Sequence, residues 1–146
     1  MVEFRRPTDD RKALAVVKSV HERWNDALAR KDAEALVSLY TDDAIIESPL
    51  VAYLLQSERG ICAGKEAIRS FIPKVFANQP VERRTHRSFA FSDGQVLMWE
   101  YPRETPDGDQ MDFIEVMELQ NGLIHRHRVY WGWFGVHTLV SGSHRR

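Results

Sequence analysis

The sequence predicts an α+β fold, with three helices ahead of an antiparallel sheet. Up to Phe76, apolar residues recur at three- and four-residue steps, the period of helices that bury one stripe. From Val81 the period changes to two, the alternation of strands that bury one face. The pair Asn121-Gly122 then sits between two alternating runs, and both residues tolerate the positive φ of a tight hairpin turn. Helices grouped ahead of strands are the α+β order.

The 146 residues suit one domain, 1–146, with an ordered core over about 10–137. The formal net charge of −1 gives no electrostatic case for nucleic acid or an anionic membrane. The clusters Arg83, Arg84, Arg87 and Arg126, Arg128 read as solvated faces, and Arg145-Arg146 as a frayed end. The single cysteine, Cys62, excludes an internal disulfide and a thiolate metal cage. The opening MVEFRRPTDDRK is charged and polar, and no apolar run approaches membrane-spanning length. A cytoplasmic protein is expected.

Thr8-Asp9-Asp10 offers an N-cap for the first helix, whose stripe is Leu14, Val17, Val20, Trp24, Ala27 and Leu28. Asp32 caps a second, shorter helix that buries Leu36, Val37, Leu39 and Tyr40. Ala44 to Ser48 reads as a short strand stopped by Pro49. Val51 to Leu55 is read as an edge strand or a lid, and Ile61-Cys62 as a short strand between glycines. Gly64-Lys65-Glu66 opens a third helix, which Pro73 should kink or divide. Arg84–Ser92 and Gln95–Tyr101 are expected to form a hairpin about Asp93-Gly94, with Leu97, Trp99 and Tyr101 on one face. Pro102 to Gln110, containing Asp107-Gly108, is expected to be a polar turn.

The closing hairpin carries the chemistry. One face of its first strand is Met111, Phe113, Glu115, Met117 and Leu119, apolar except for one carboxylate. One face of its second strand is His125, His127, Val129 and Trp131. A three-residue loop sets Glu115 opposite His127; a strict two-residue turn sets it opposite Arg128. The first register is preferred because it gathers the apolar side chains on one face and sends both arginines to the other. A carboxylate on such a face is paired or has its pKa raised toward neutrality, where proton transfer is efficient. The plainer reading of Glu115 is a structural ion pair. The pair His125-x-His127 can chelate only with a third ligand, and no metal is expected. Ser48 has no nucleophile-elbow surroundings and reads as a strand-end hydroxyl. Cys62 reads as a small apolar residue. Trp131 reads as core, and Trp133 and Phe134 as near a dimer contact or the mouth of a pocket.

The order of a helix, a short helix ending LYTDDAIIESP, a glycine-led helix GKEAIRSFI and strands closing in HRVYWGW resembles the NTF2-like superfamily, and within it the SnoaL-like branch. The resemblance runs from about Val16 to Phe134. It implies a cone: a curved antiparallel sheet wrapped around the three helices, enclosing a mostly apolar pocket, commonly in homodimers through the outer sheet face. Relatives include ketosteroid isomerases, scytalone dehydratase, limonene epoxide hydrolase, polyketide cyclases and non-catalytic binding modules, and fold does not decide among them. Against the ketosteroid isomerases, Ser48 stands where the general base would be, Trp24 where the oxyanion tyrosine would be, Glu115 near the second oxyanion acid, and Tyr40 at a supporting tyrosine. The aspartate pair of the epoxide hydrolase cannot be placed inward, because Asp112 points out.

The resulting expectation is a cofactor-independent acid/base enzyme (isomerase, dehydratase or cyclase) acting on a small apolar molecule. Glu115 and His127 are its candidate catalytic residues. Trp24, Tyr40, Ser48, Trp99 and Phe113 are its candidate pocket residues. The alternative is a non-catalytic ligand-binding or dimerisation module.

Overall fold

The computed structural model describes residues 1–79, 84–85, 88–104, 108 and 110–142. The expected features at Arg83, Arg87, Asp107 and Arg145-Arg146 lie outside the described residues.

Helix α1 spans Arg11–Arg30 and is capped by Asp10, whose carboxylate accepts from the N–H groups of Lys12 and Ala13. Its apolar stripe is buried from Val17 to Leu28. It ends at Lys31 in the left-handed region, and Asp32 caps α2, Ala33–Val37. That helix is shorter than expected: Tyr40 already opens β1, Tyr40–Glu47.

The edge-strand alternative for 51–55 is corrected. Pro49–Leu55 is a helix, α3, with Pro49 in its first turn and Ser48 as N-cap. Proline suits that position because its missing N–H would be unpaired there anyway. Strand β2, Ile61–Ala63, returns antiparallel to β1. Helix α4, Lys65–Ala77, is not divided at Pro73. Ile68, Phe71 and Ile72 are buried ahead of the proline and Val75 and Phe76 pack behind it, so tertiary burial outweighs the one lost backbone donor.

The first arm expected for the 84–101 hairpin is split. Arg84–Thr85 (β3) belongs to a small three-stranded sheet with β6, Arg103–Glu104, and β7, Gln110–Met111. The main sheet takes β4, Phe89–Ser92, and β5, Val96–Glu100, then β8, Phe113–Gln120, and β9, Leu123–Trp131, in the order β2-β1-β9-β8-β5-β4. It curves over the helices. All its junctions are antiparallel except that of β1 with β9. A further helix, α5, spans Trp133–Ser141, a segment to which the sequence assigned no element. No helix among the described residues is long and apolar enough to cross a membrane. The core lies between α1, α2, α4 and the concave sheet face, around Trp24, Leu36, Ile68, Phe71, Trp99 and Met117.

The register of the closing hairpin is also corrected. The turn is the tight two-residue one, with Gln120 opposite Leu123 and positive φ at Asn121 and Gly122 (52° and 76°). A bulge at His125 then adds one residue to β9, so Met117 faces His127 and Glu115 faces Val129. Glu115 is opposite neither His127 nor Arg128. The bulge keeps His127 on the inner face and leaves Arg128 outside, bound to Glu118 at 2.6 Å.

Candidate active site

Glu115 and His127 are both 3% exposed. They stand diagonally on the concave face, with His127 Nε2 at 2.5 Å from Glu115 Oε2. The other carboxylate oxygen accepts from the Tyr101 hydroxyl. On its far side His127 Nδ1 lies 2.8 Å from the Tyr40 hydroxyl, and Trp24 Nε1 donates to Tyr40 Oη at 3.2 Å. Five side chains from α1, β1, β5's extension, β8 and β9 thus form one hydrogen-bonded chain.

One placement of protons satisfies every group in it. Glu115 is a carboxylate, accepting from Tyr101 O–H and from His127 Nε2–H. His127 Nδ1 then accepts from Tyr40 O–H, and Tyr40 Oη accepts from Trp24 N–H. The neutral Nε2–H tautomer of histidine is the one this chain requires. Burial pushes the Tyr40 phenol well above its ordinary value, against the opposing hydrogen bond from Trp24 and with the carboxylate of Glu115 adding to the rise. Tyr40 therefore stays a proton donor at neutral pH. His21, packed edge-on to Trp99 at 4.8 Å, is pushed down by burial and held up in part by Glu115.

The chain borders a cavity of about 130 Å³. This is close to the ~150 Å³ of an apolar cavity that holds benzene. Leu28, Leu36, Ile46, Phe71 and Ile72 supply its apolar wall, and Asn78, Gln79 and Arg103 are its half-buried polar members.

The sequence-predicted residues Trp24, Tyr40, Ser48, Phe113, Glu115 and His127 all line this cavity. Trp99 does not. It sits behind the wall, 5.7 Å from Trp24 and 6.3 Å from His127 between ring centres. The polar handles differ from expectation too. The Trp24 N–H is committed to Tyr40, and the Ser48 hydroxyl accepts from Leu50 N–H at 3.1 Å as the α3 cap. Trp131, read as core, reaches the cavity. Sequence reading missed Tyr101 and Arg103. Tyr101 had a usable signal, since it shares a face with Leu97 and Trp99; Arg103 fell in a segment read as a turn. His125 contacts Thr41 (3.3 Å) and Asp43 (3.4 Å), whereas His127 contacts Tyr40 and Glu115. The two histidines do not converge on one point, so they do not offer a shared metal site.

The fold and this inward-facing network define an NTF2-like cone. Within that class the chain belongs to the SnoaL-like domain family, whose model matches residues 21–127. A steroid Δ-isomerase from Pseudomonas aeruginosa superposes with a TM-score of 0.64 at 20% identity, over 97% of this chain and 95% of that one. An NTF2-like protein from Anabaena variabilis ATCC 29413 gives 0.67 at 17%, over 87% and 94%. The epoxide hydrolase/cyclase-like enzyme SalBIII, which acts in pyran ring formation in the polyether salinomycin, gives 0.54 at 24%, over 86% and 94%. These identities establish a shared fold. No curated protein matches the sequence significantly.

Proposed function

We propose that the protein is a cofactor-independent acid/base enzyme, an isomerase, dehydratase or cyclase, acting on a small and largely apolar molecule in this cavity. The observation that carries the reading is the buried carboxylate–imidazole pair held between two tyrosine hydroxyls on the cavity wall. Such a pair stores a mobile proton out of contact with water, where proton transfer is efficient.

Glu115 takes the proton from an acidic C–H beside a carbonyl, and the C–H electron pair moves into the enolate. As Glu115 becomes neutral, the Tyr101 O–H is released to donate to the enolate oxygen. The proton then returns to another carbon, or the enolate expels a leaving group or closes a ring. If His127 is protonated instead, its Nδ1–H donates to Tyr40. Tyr40 then loses its acceptor, and its own O–H turns toward the ligand. The isomerase and cyclase-like neighbours support this chemistry by analogy of fold.

The test is deuterium incorporation. Small cyclic ketones incubated with the protein in D2O should exchange their α-protons faster than in buffer, followed by NMR. Glu115→Gln should lower that rate by about 10²–10⁴-fold while leaving the fold intact. Tight binding of the ketones without exchange would instead favour a non-catalytic binding module, in keeping with the serine at position 48.

We further propose a homodimer through the convex sheet face. There Phe89 is 59% exposed, Ile114 42%, Tyr130 55% and Met98 39%. Phe89, Ile114 and Tyr130 lie in one row that Glu100 interrupts between Phe89 and Ile114, and exposed apolar side chains grouped on one sheet face are of the kind that marks association sites. Ile114→Glu should convert the dimer to a monomer in light scattering; an unchanged mass removes this face from consideration.

A further inference from the structure

We infer that the ligand carries a carboxylate, and that Arg103 receives it. The inference rests on the cavity being the ligand site, as proposed above, and adds the chemical class of the ligand.

Arg103 lines the cavity and is half-buried. Its guanidinium lies 4.9 Å above the Tyr101 ring and 5.4 Å from the Phe113 ring centre. Those two rings are themselves stacked, 5.2 Å apart and 9° from parallel. The guanidinium is therefore fixed in orientation by a two-ring platform, and cation–π attraction offsets part of its desolvation.

Among the described residues no carboxylate lies in ion-pair contact with it. A cation partly withdrawn from water that faces no acid among the described residues is a costly arrangement, and a ligand anion removes the cost. Among the described residues Arg103 is the only lysine or arginine on the cavity wall. One planar fork carrying one charge matches a carboxylate, whereas a phosphate dianion calls for further cations.

The placement also suits the chemistry. Tyr101 presents its ring face to Arg103 and its hydroxyl to Glu115. A carboxylate on the guanidinium is thus kept a ring's width from the Glu115 carboxylate. The two negative charges stay apart, while the apolar body of the ligand reaches the proton-transfer pair. Arg103 acts here as a binding and specificity residue, with no part in the proton transfer.

The test uses trans-cinnamate and its neutral isostere trans-cinnamamide, titrated against the protein by tryptophan fluorescence and calorimetry. Wild type should bind cinnamate at least about tenfold more tightly than the amide, the effect of one charge-assisted pair. Arg103→Gln should lose that preference and bind cinnamamide as wild type does, and Arg103→Lys should keep part of it. Glu115→Gln should retain the preference even where it abolishes deuterium exchange, so that failure of the proton-transfer reading and failure of this one are separable. Equal affinities in wild type, no binding of either probe, or an equal loss of both in Arg103→Gln would each overturn the inference. In the last case the guanidinium merely props the Tyr101–Phe113 stack.

Discussion

Glu115 and His127 are not cross-strand partners, yet their side chains meet at 2.5 Å between Oε2 and Nε2. Glu115 faces Val129 and His127 faces Met117 across the β8–β9 ladder. The pair is diagonal, within reach of long side chains on one sheet face. Each residue satisfies the other, and each is also held from behind, by Tyr101 and Tyr40. That mutual dependence makes the pair a single energetic unit.

Stability should therefore respond non-additively. His127→Leu leaves a buried carboxylate short of a donor and Tyr40 short of an acceptor, and should cost about 3–5 kcal/mol. Adding Glu115→Met removes the orphaned charge, so the double variant should be more stable than His127→Leu alone, by about 1–2 kcal/mol. Urea unfolding of wild type, both single variants and the double variant measures the coupling. Strict additivity of the two losses would mean that the residues do not act as a pair.

Tyr40 sets an alkaline limit. Its phenol is pushed above the ordinary value of 10.0, first by burial. The folded state therefore holds a proton that the unfolded chain gives up. Above about pH 10 the folded state binds more protons than the unfolded state, so stability falls as pH rises through that range. Below pH 10 both states are protonated and the effect vanishes. The stability difference between wild type and Tyr40→Phe should be constant from pH 7 to about 9.5 and shrink above 10. A difference that stays flat to pH 11 would mean that Tyr40 is ionised without penalty, and hence not enclosed.

Ser48 separates a structural role from a ligand role. Its hydroxyl caps α3 through Leu50 N–H, and it also lines the cavity. Ser48→Ala should cost about 1 kcal/mol of stability, the usual value of a lost N-cap. Its affinity for cavity ligands should change by less than about threefold, since a preoccupied hydroxyl has little to give a ligand. A tenfold loss of affinity with unchanged stability would reverse that assignment.

Much of this arrangement was legible in the sequence, because period and turn chemistry are local. The stripe Val17–Val20–Trp24–Leu28, the Asp10 and Asp32 caps and the Asn121-Gly122 turn are each decided by a few neighbouring residues. The inward parity of Glu115 and His127 was readable for the same reason. Their partner register was not. It depends on the bulge at His125, where β9 meets both β8 and the irregular start of β1, and no local signal marks such a residue. The segment from Pro49 to Leu55 reads apolar in either period, so its helix is settled by the Ser48 cap and by burial of Val51. Arg103 was hidden because its strand, β6, exists only through pairing with β3 and β7.

Gly94 fixes how α1 meets the sheet edge. It holds φ at +92° in the turn between β4 and β5. Asp93 supports that turn, accepting from Gln95 N–H at 2.9 Å and Val96 N–H at 2.7 Å, while Arg5 binds its other oxygen at 3.0 Å. A Cβ at Gly94 would stand 2.9 Å from Ala13 Cβ and 3.0 Å from Thr8 Cγ2. Gly94→Ala therefore combines a positive-φ penalty of about 1 kcal/mol with overpacking of about 1–3 kcal/mol. The expected loss is about 2–4 kcal/mol in urea unfolding. The two components separate on an Ala13→Gly background, which removes the nearer clash. There Gly94→Ala should cost clearly less than in wild type, yet still retain the backbone penalty. An identical cost on both backgrounds would mean that α1 is not held against this turn, and that the start of the helix is placed only by its buried stripe from Val17 onward.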